Sequence, residues 1–247
     1  MALSKILNRY KLNVVAVCVS YIHHDKMGGG DTIPWNAFDT NNLRFGPTQK
    51  RGKAGFIPVY YGGNSDAPIR IQTPGLRVPF GVGVYAKDAG TELTSYSIKL
   101  SAENEGFLAF MRQLDEHFMN VAESAHPEWN VKAAKYQPLV SEARDPKYAP
   151  TVRFKISLDS NKEPRVGVFD SNFKKVSLDD VTRNSFVKVI VRVSSIWLAA
   201  QWGISLNIEQ ILIVSKGHDF ANEPMFIMNI DGEDDDGGNG GEGGDFN

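Results

Sequence analysis

At 247 residues, with 27 Lys and Arg against 29 Asp and Glu, the chain is long enough for one or two domains and is formally near neutral at net −2. Hydrophobic content of 42% with 11% aromatics supports a real core and excludes a wholly disordered chain. The single cysteine, Cys18, excludes an internal disulfide framework and a cysteine zinc site.

Lys5, Arg9 and Lys11 precede an apolar run, Leu12–Ile22, in the manner of a signal peptide. No small-x-small cleavage pattern follows, and the run alternates as a strand does, so it reads as a strand with Cys18 a buried small hydrophobe. No apolar stretch approaches the ~20 residues of a spanning helix, so the expected setting is soluble and intracellular, without a membrane partner. Further strands are expected at about Gly55–Tyr61, Pro68–Thr73, Tyr96–Leu100, Thr151–Leu158, Arg165–Phe169, Phe186–Trp197, Gly203–Val214 and Met225–Ile230. One helix interrupts them. Ser101 is expected to cap it, Glu103 and Glu105 suit its first turn, and Phe107, Phe110, Met111, Leu114, Phe118, Val121 and Ala122 form a stripe that reads as packing surface. Pro127 marks its far boundary, and Lys132 to Pro150 reads as a mixed helix and loop connector.

Two strands present a core face and a basic face. In Thr151–Leu158, Val152, Phe154, Ile156 and Leu158 oppose Arg153, Lys155 and Ser157; in Phe186–Val193, four valines oppose Lys188 and Arg192. Ile204, Leu206 and Ile208 change phase to Ile211 and Ile213 around Glu209–Gln210, which predicts a bulge that bends the strand as small barrels require. The fold class expected is mainly β (α+β): a five-stranded OB-fold barrel with extra strands, one long amphipathic helix and a disordered acidic C-terminal tail. The domain reading is one unit over residues 1–230 and the tail over 231–247.

Catalytic motifs fail on context. Gly81-Val82-Gly83-Val84-Tyr85-Ala86 fits the loose dinucleotide fingerprint, but a turn and a strand follow where the pyrophosphate would need a helix N-terminus. His23, His24, His117, His126 and His218 lack carboxylate or cysteine partners at metal-ligand spacing. Asp234, Asp235 and Asp236 lack the ordered loop of a calcium site. No enzyme, cofactor or metal is expected.

Basic residues interleaved with aromatics stand out instead. Between Arg44 and Tyr61 the chain carries Lys50, Arg51, Lys53, Phe45, Phe56 and Tyr60 with no acid in the window, and Arg70, Gln72 and Arg77 follow. Together with Arg153, Lys155, Lys188 and Arg192 they suit a single nucleic-acid strand, whose phosphates cations track and whose bases stack on aromatic faces. About half of these aromatics are expected in the core, and Trp197 and Trp202, flanking a turn, read equally as a packing cluster or a stacking platform. Trp202 is taken as the groove candidate. The tail Asp231–Asn247 holds seven acids, seven glycines and no Lys or Arg, leaving a body of 27 basic and 22 acidic residues. A basic body tethered to its own polyanion suits competition between tail and nucleic acid.

The block Ile69-Arg-Ile-Gln-Thr-Pro-Gly-Leu-Arg-Val-Pro-Phe-Gly-Val82, the helix after Ser101, the strand Pro150-Thr-Val-Arg-Phe-Lys-Ile156 and Val189-Ile-Val-Arg-Val-Ser-Ser-Ile-Trp197 leading into Trp202-Gly-Ile-Ser-Leu together resemble the OB-fold single-stranded DNA-binding proteins of nucleocytoplasmic large DNA viruses. The likeness spans most of residues 55–215; residues 1–50 match nothing in it. The tail, with Asp234, Asp235, Asp236, Asp245 and Phe246, is similar to those of phage and bacterial replicative single-strand binders, although Asn247 follows the aromatic. The resemblance implies a noncatalytic protein that coats single-stranded DNA in viral or phage-type replication, recombination or repair. Its expected partners are single-stranded DNA and, through the tail, a polymerase, primase or nuclease, with self-association left open. The expected location, if viral, is host cytoplasm or nucleus. Two alternatives stay open: a structural or virion β protein of jelly-roll type, and an RNA-binding OB module.

Overall fold

The computed structural model describes residues 32–217 apart from 53, 64–67, 87–92, 127–128, 130 and 133–134. The expected strands at 12–22 and 225–230, Cys18, His23, His24, His218, Lys53, Lys87, Pro127 and the tail with Asp234, Asp235, Asp236, Asp245 and Phe246 lie outside the described residues. The chain divides after Asp31, and the described residues all belong to the second unit.

In chain order the strands are β1 (Thr32–Pro34), β2 (Leu43–Phe45), β3 (Gln49–Arg51), β4 (Ala54–Tyr61), β5 (Ile69–Gln72), β6 (Leu76–Arg77), β7 (Val82–Ala86), β8 (Leu93–Ser101), β9 (Tyr136–Gln137), β10 (Val140–Ser141), β11 (Thr151–Ile156), β12 (Gly167–Phe169), β13 (Phe186–Leu198) and β14 (Trp202–Ser215). One long helix, α1 (Glu105–Asn120), lies between β8 and β9. Leu158 falls beyond β11 and makes only an isolated bridge to Pro164.

β5 and β6 act as one interrupted strand. Both pair antiparallel with β13, and across the break Thr73 keeps the ladder intact: its N–H donates to Val189 O at 3.0 Å and its Oγ1 accepts from Val189 N at 3.1 Å. From there the pairing runs β6 to β8, β8 to β11, β11 to β14 and β14 back to β13. The β11–β14 contact is parallel; the others are antiparallel. Five strand positions are thus linked in a ring of pairings, which is not a clean barrel because two of its seams are single residue pairs, Arg77 with Ser101 and Lys155 with Asn207.

Alternation fills the interior. Val152, Phe154 and Ile156 from β11, Val187, Val189, Val191 and Val193 from β13, and Leu206, Ile208, Ile211 and Ile213 from β14 are all buried. The phase change in β14 is a bulge: Ile190 pairs with Gln210 and Val191 with Ile208, leaving Glu209 as the extra residue. A second bulge lies opposite. Val193 pairs with Leu206 and Ser195 with Ser205, so Ser194 is extra and β13 changes phase; Ile196 becomes the core residue and Trp197 turns outward.

The helix is capped by Asn104, whose side chain accepts from Phe107 N at 2.9 Å, and not by Ser101, which ends β8. Ser101 cannot leave the sheet because it pairs with both Thr151 and Arg77. Phe107, Phe110, Met111, Leu114, Phe118 and, in the following π turn, Ala122 form the buried stripe. Trp35, Phe38, Phe45, Tyr61 and Trp129 pack on it or beside it. Among the described residues no helix is long and apolar enough to cross a membrane.

Candidate nucleic-acid interface

The outward faces of β8 and β11 carry polar and basic side chains because their inward faces carry the core. Cross-strand pairing sets Arg153 opposite Lys99 and Lys155 opposite Ser97. These four line an open groove of ≈ 690 Å³ with Ser95, Ser141, Ser205, Gln137 and Gln201. At the far end β4 meets β13, where Phe56 and Trp197 are direct cross-strand partners and enter the lining. No acidic residue lines the groove among the described residues. Lys99 and Arg153 are direct cross-strand neighbours and Lys155 lies two residues on, so three cations share this face of the sheet.

One wall of the groove, Gln137 to Ser141, is held by the helix. Asp115 of α1 is buried and accepts from Tyr136 Oη at 2.5 Å and from Leu139 N at 2.9 Å. Burial raises the carboxyl pKa above its ordinary value despite those donors, and the phenol of Tyr136, itself buried beside Asp115, is also raised. This junction was not legible as a site feature in the sequence, where Asp115 lies on a stripe that is otherwise apolar.

The remaining sequence candidates distribute as follows. Trp202 is corrected: it is 2% exposed, packs its ring 4.6 Å from Tyr136 and donates its indole N–H to Lys132 O at 2.8 Å, so neither face of the ring is open. Tyr61 also leaves the groove. Its ring lies 4.7 Å from Phe38 in the helix-side cluster, and its hydroxyl accepts from Asp39 N. Tyr60 faces the same way as Phe56 and is half-buried opposite Arg44, whose Nε donates to Gly62 O at 2.5 Å. Lys50 is exposed on β3 and pairs with Gly55, on the face opposite Phe56. Arg51 ends the same strand.

Arg70, Gln72, Lys188 and Arg192 lie on the outer face of β5 and β13, away from the groove lining. Gln72 and Lys188 border a smaller hollow of ≈ 130 Å³ with Phe169 and Phe173. Arg70 and Arg192 are cross-strand neighbours that both reach Glu209, at 2.5 and 3.2 Å. Arg77 sits at a seam of the ring in an exposed ion pair with Glu103 at 3.1 Å. The structure therefore brings together Phe56, Arg153 and Lys155 from the sequence candidates and adds Lys99 and Trp197. Lys99 was detectable: Ile98 and Leu100 mark the core phase of β8 and put Lys99 outside. Among the described residues no cluster of His, Cys, Asp and Glu could hold a metal. Residues 82–86 of the glycine motif form a strand paired with β8, and residues 87–92 that follow lie outside the described residues.

The chain matches no family model and no curated protein. Among solved structures, the single-stranded DNA-binding protein from bacteriophage Enc34 in complex with ssDNA is similar at 13% identity and TM-score 0.44, covering 72% of this chain and 98% of that one. The Enc34 protein alone is similar at 14% identity and TM-score 0.42, over 77% and 98%. gp2.5, a single-stranded DNA binding protein encoded by bacteriophage T7, is similar at 17% identity and TM-score 0.41, over 64% and 98%.

Proposed function

We propose that the protein is a noncatalytic single-stranded DNA-binding protein that coats and protects the strand in viral or phage-type replication, recombination or repair. The observation that supports this most is the β8–β11 groove, where Lys99, Arg153 and Lys155 stand together without an acidic lining residue and Phe56 and Trp197 stand at one end. Cations there displace counterions from backbone phosphates, and an aromatic ring stacks a base with little regard to its identity. A single strand fits this chemistry because its bases are already available to the rings. In the same reading the tail 231–247, with seven acids and Phe246, competes for the cations and recruits a polymerase, primase or nuclease.

Titration of the full chain against single-stranded DNA, duplex DNA and RNA at two salt concentrations tests the reading. Preference for single-stranded DNA that weakens with salt is the expected result. Equal or tighter duplex binding overturns it, and preference for RNA makes the protein an RNA binder.

A further inference from the structure

A second surface on the outer face of the sheet is built differently from the groove. Gly167, Gln210, Ile190 and Gln72 pair in turn across β12, β14, β13 and β5, and Phe169, Leu212 and Lys188 form the neighbouring line across β12, β14 and β13. Paired residues share a face, so the side chains of both lines stand outward together. They line the hollow of ≈ 130 Å³, with Phe173 beside them. Gly167 adds no side chain to its line, and a Cβ there would come within 3.0 Å of the Phe169 ring, so the glycine leaves that ring its room.

Phe173 is the unusual member. Its ring is 75% exposed, and its backbone is left-handed at φ 59, a conformation that non-glycine residues adopt rarely. The turn fixes it there: Phe173 N donates to Asp170 O at 2.9 Å, and Asp170 Oδ1 accepts from Asn172 N and Lys174 N, each at 2.9 Å. Apolar surface rimmed by polar groups marks a place of contact. The apolar part is the two phenyl rings with Ile190 and Leu212, and the rim is Gln72, Gln210 and Lys188. All three rim residues are exposed, and among the described residues none of their side chains has a hydrogen bond or ion pair. No acidic residue lines the hollow among the described residues.

This lining selects its occupant. A hollow well under the roughly 300–1,000 Å³ that encloses a whole ligand takes one flat ring. A nucleobase has an apolar face for the phenyl rings, an edge of donors and acceptors for the two amides, and a neighbouring phosphate for a lysine. An apolar protein side chain would use the rings alone. The groove also leads here: Lys155 pairs with Asn207 and Asn207 with Arg192, two residues beyond Ile190 on β13. At ~4.8 Å per strand and ~3.4 Å per residue, Ile190 lies roughly 12 Å along the sheet from Lys155.

We infer that the hollow beside Phe169 and Phe173 is a base-binding position for a single strand that continues past the groove, with a base stacked on Phe173, its edge met by Gln72 or Gln210 and its phosphate by Lys188. The inference rests on the proposed function and adds a contact outside the β8–β11 groove.

Titration of the full-length Phe173→Ala protein with a long homopolymeric single-stranded DNA tests this. Loss of one stacked base should weaken binding about 5- to 150-fold, and Phe173→Trp should keep it. Lys188→Gln should make the log K against log salt slope shallower by about 0.7. Phe173→Ala that binds as wild type, Phe173→Trp that binds no better than Phe173→Ala, or an unchanged slope for Lys188→Gln overturns the inference. Tighter binding by Phe173→Ala overturns it too, and makes the hollow the seat of a competitor such as the tail's Phe246. If alanine does not fold in the left-handed turn, Phe173→Asn, which that backbone accepts, carries the same readout. Lys155→Gln is the control: weaker binding there with no response at Phe173 overturns only the base position, whereas wild-type protein that fails to bind single strands overturns the proposed function as well.

Discussion

At the residue scale, the two tryptophans flanking the β13–β14 turn separate packing from binding. Trp202 is enclosed, and Trp202→Ala should cost about 3–5 kcal/mol of stability, read in urea melts. Trp197 is half-buried on the groove side, and Trp197→Ala should cost ~1–3 kcal/mol of single-strand binding if its ring stacks a base. Comparable loss of stability in both variants would place Trp197 in the packing instead. The sequence could not order this pair, because strict alternation from Val187 carries the core phase onto Ser195 and Trp197. The single extra residue Ser194 reverses that phase, and a hydroxyl residue gives no local sign of a bulge. Lys99 and Arg153 face each other across β8 and β11, so Lys99→Gln should weaken DNA binding while relieving like-charge contact. A thermal midpoint equal to or above wild type, with a shallower salt slope, is the expected pair of results.

At the element scale, the helix and the groove wall are joined by one buried carboxylate. Burial raises the pKa of Asp115, so the folded state holds this proton more tightly than the unfolded chain. Its contribution to stability is full below the ordinary carboxylate pKa and is lost as pH rises through the raised one. The stability advantage of wild type over Asp115→Asn should therefore shrink from about pH 4 upward, measured by paired urea melts. A constant or growing advantage would contradict that sign. Removing the acceptor altogether, as Asp115→Ala, leaves buried donors from Tyr136 and Leu139 and should cost about 1–3 kcal/mol for each unmade bond. The long elements were legible because their own patterns define them: α1 by its apolar stripe, and β4, β8, β11, β13 and β14 by alternation or apolar runs. The short strands β1, β2, β3, β6, β9 and β10 were not, since two or three residues carry no period and owe their conformation to the strands they pair with. The helix start was misplaced for a related reason, since Ser101 has a capping side chain but tertiary pairing keeps it in β8.

At the scale of the whole molecule, charge is distributed by sign. The tail 231–247 holds seven acids, and the rest of the chain has 27 basic against 22 acidic residues. Deleting the tail should raise single-strand affinity most at low salt, where screening is weakest, while Phe246→Ala should leave DNA binding nearly unchanged. Unchanged affinity on deletion would make the tail a solubilising segment. The groove itself was partly legible. Arg153 and Lys155 follow from alternation within one strand, whereas their junction with Phe56 and Trp197 depends on β4 pairing with the end of β13, more than 130 positions later. The central claim is that this groove binds a single strand through phosphates. The most direct test is the slope of log K against log salt for a homopolymeric single-stranded DNA, compared between wild type and an Arg153→Glu, Lys155→Glu double variant that melts normally. The account predicts a wild-type slope of about −0.7 per phosphate neutralised, with affinity and slope both collapsing in the variant. Salt-independent wild-type binding, or a variant that binds as wild type does, would contradict it.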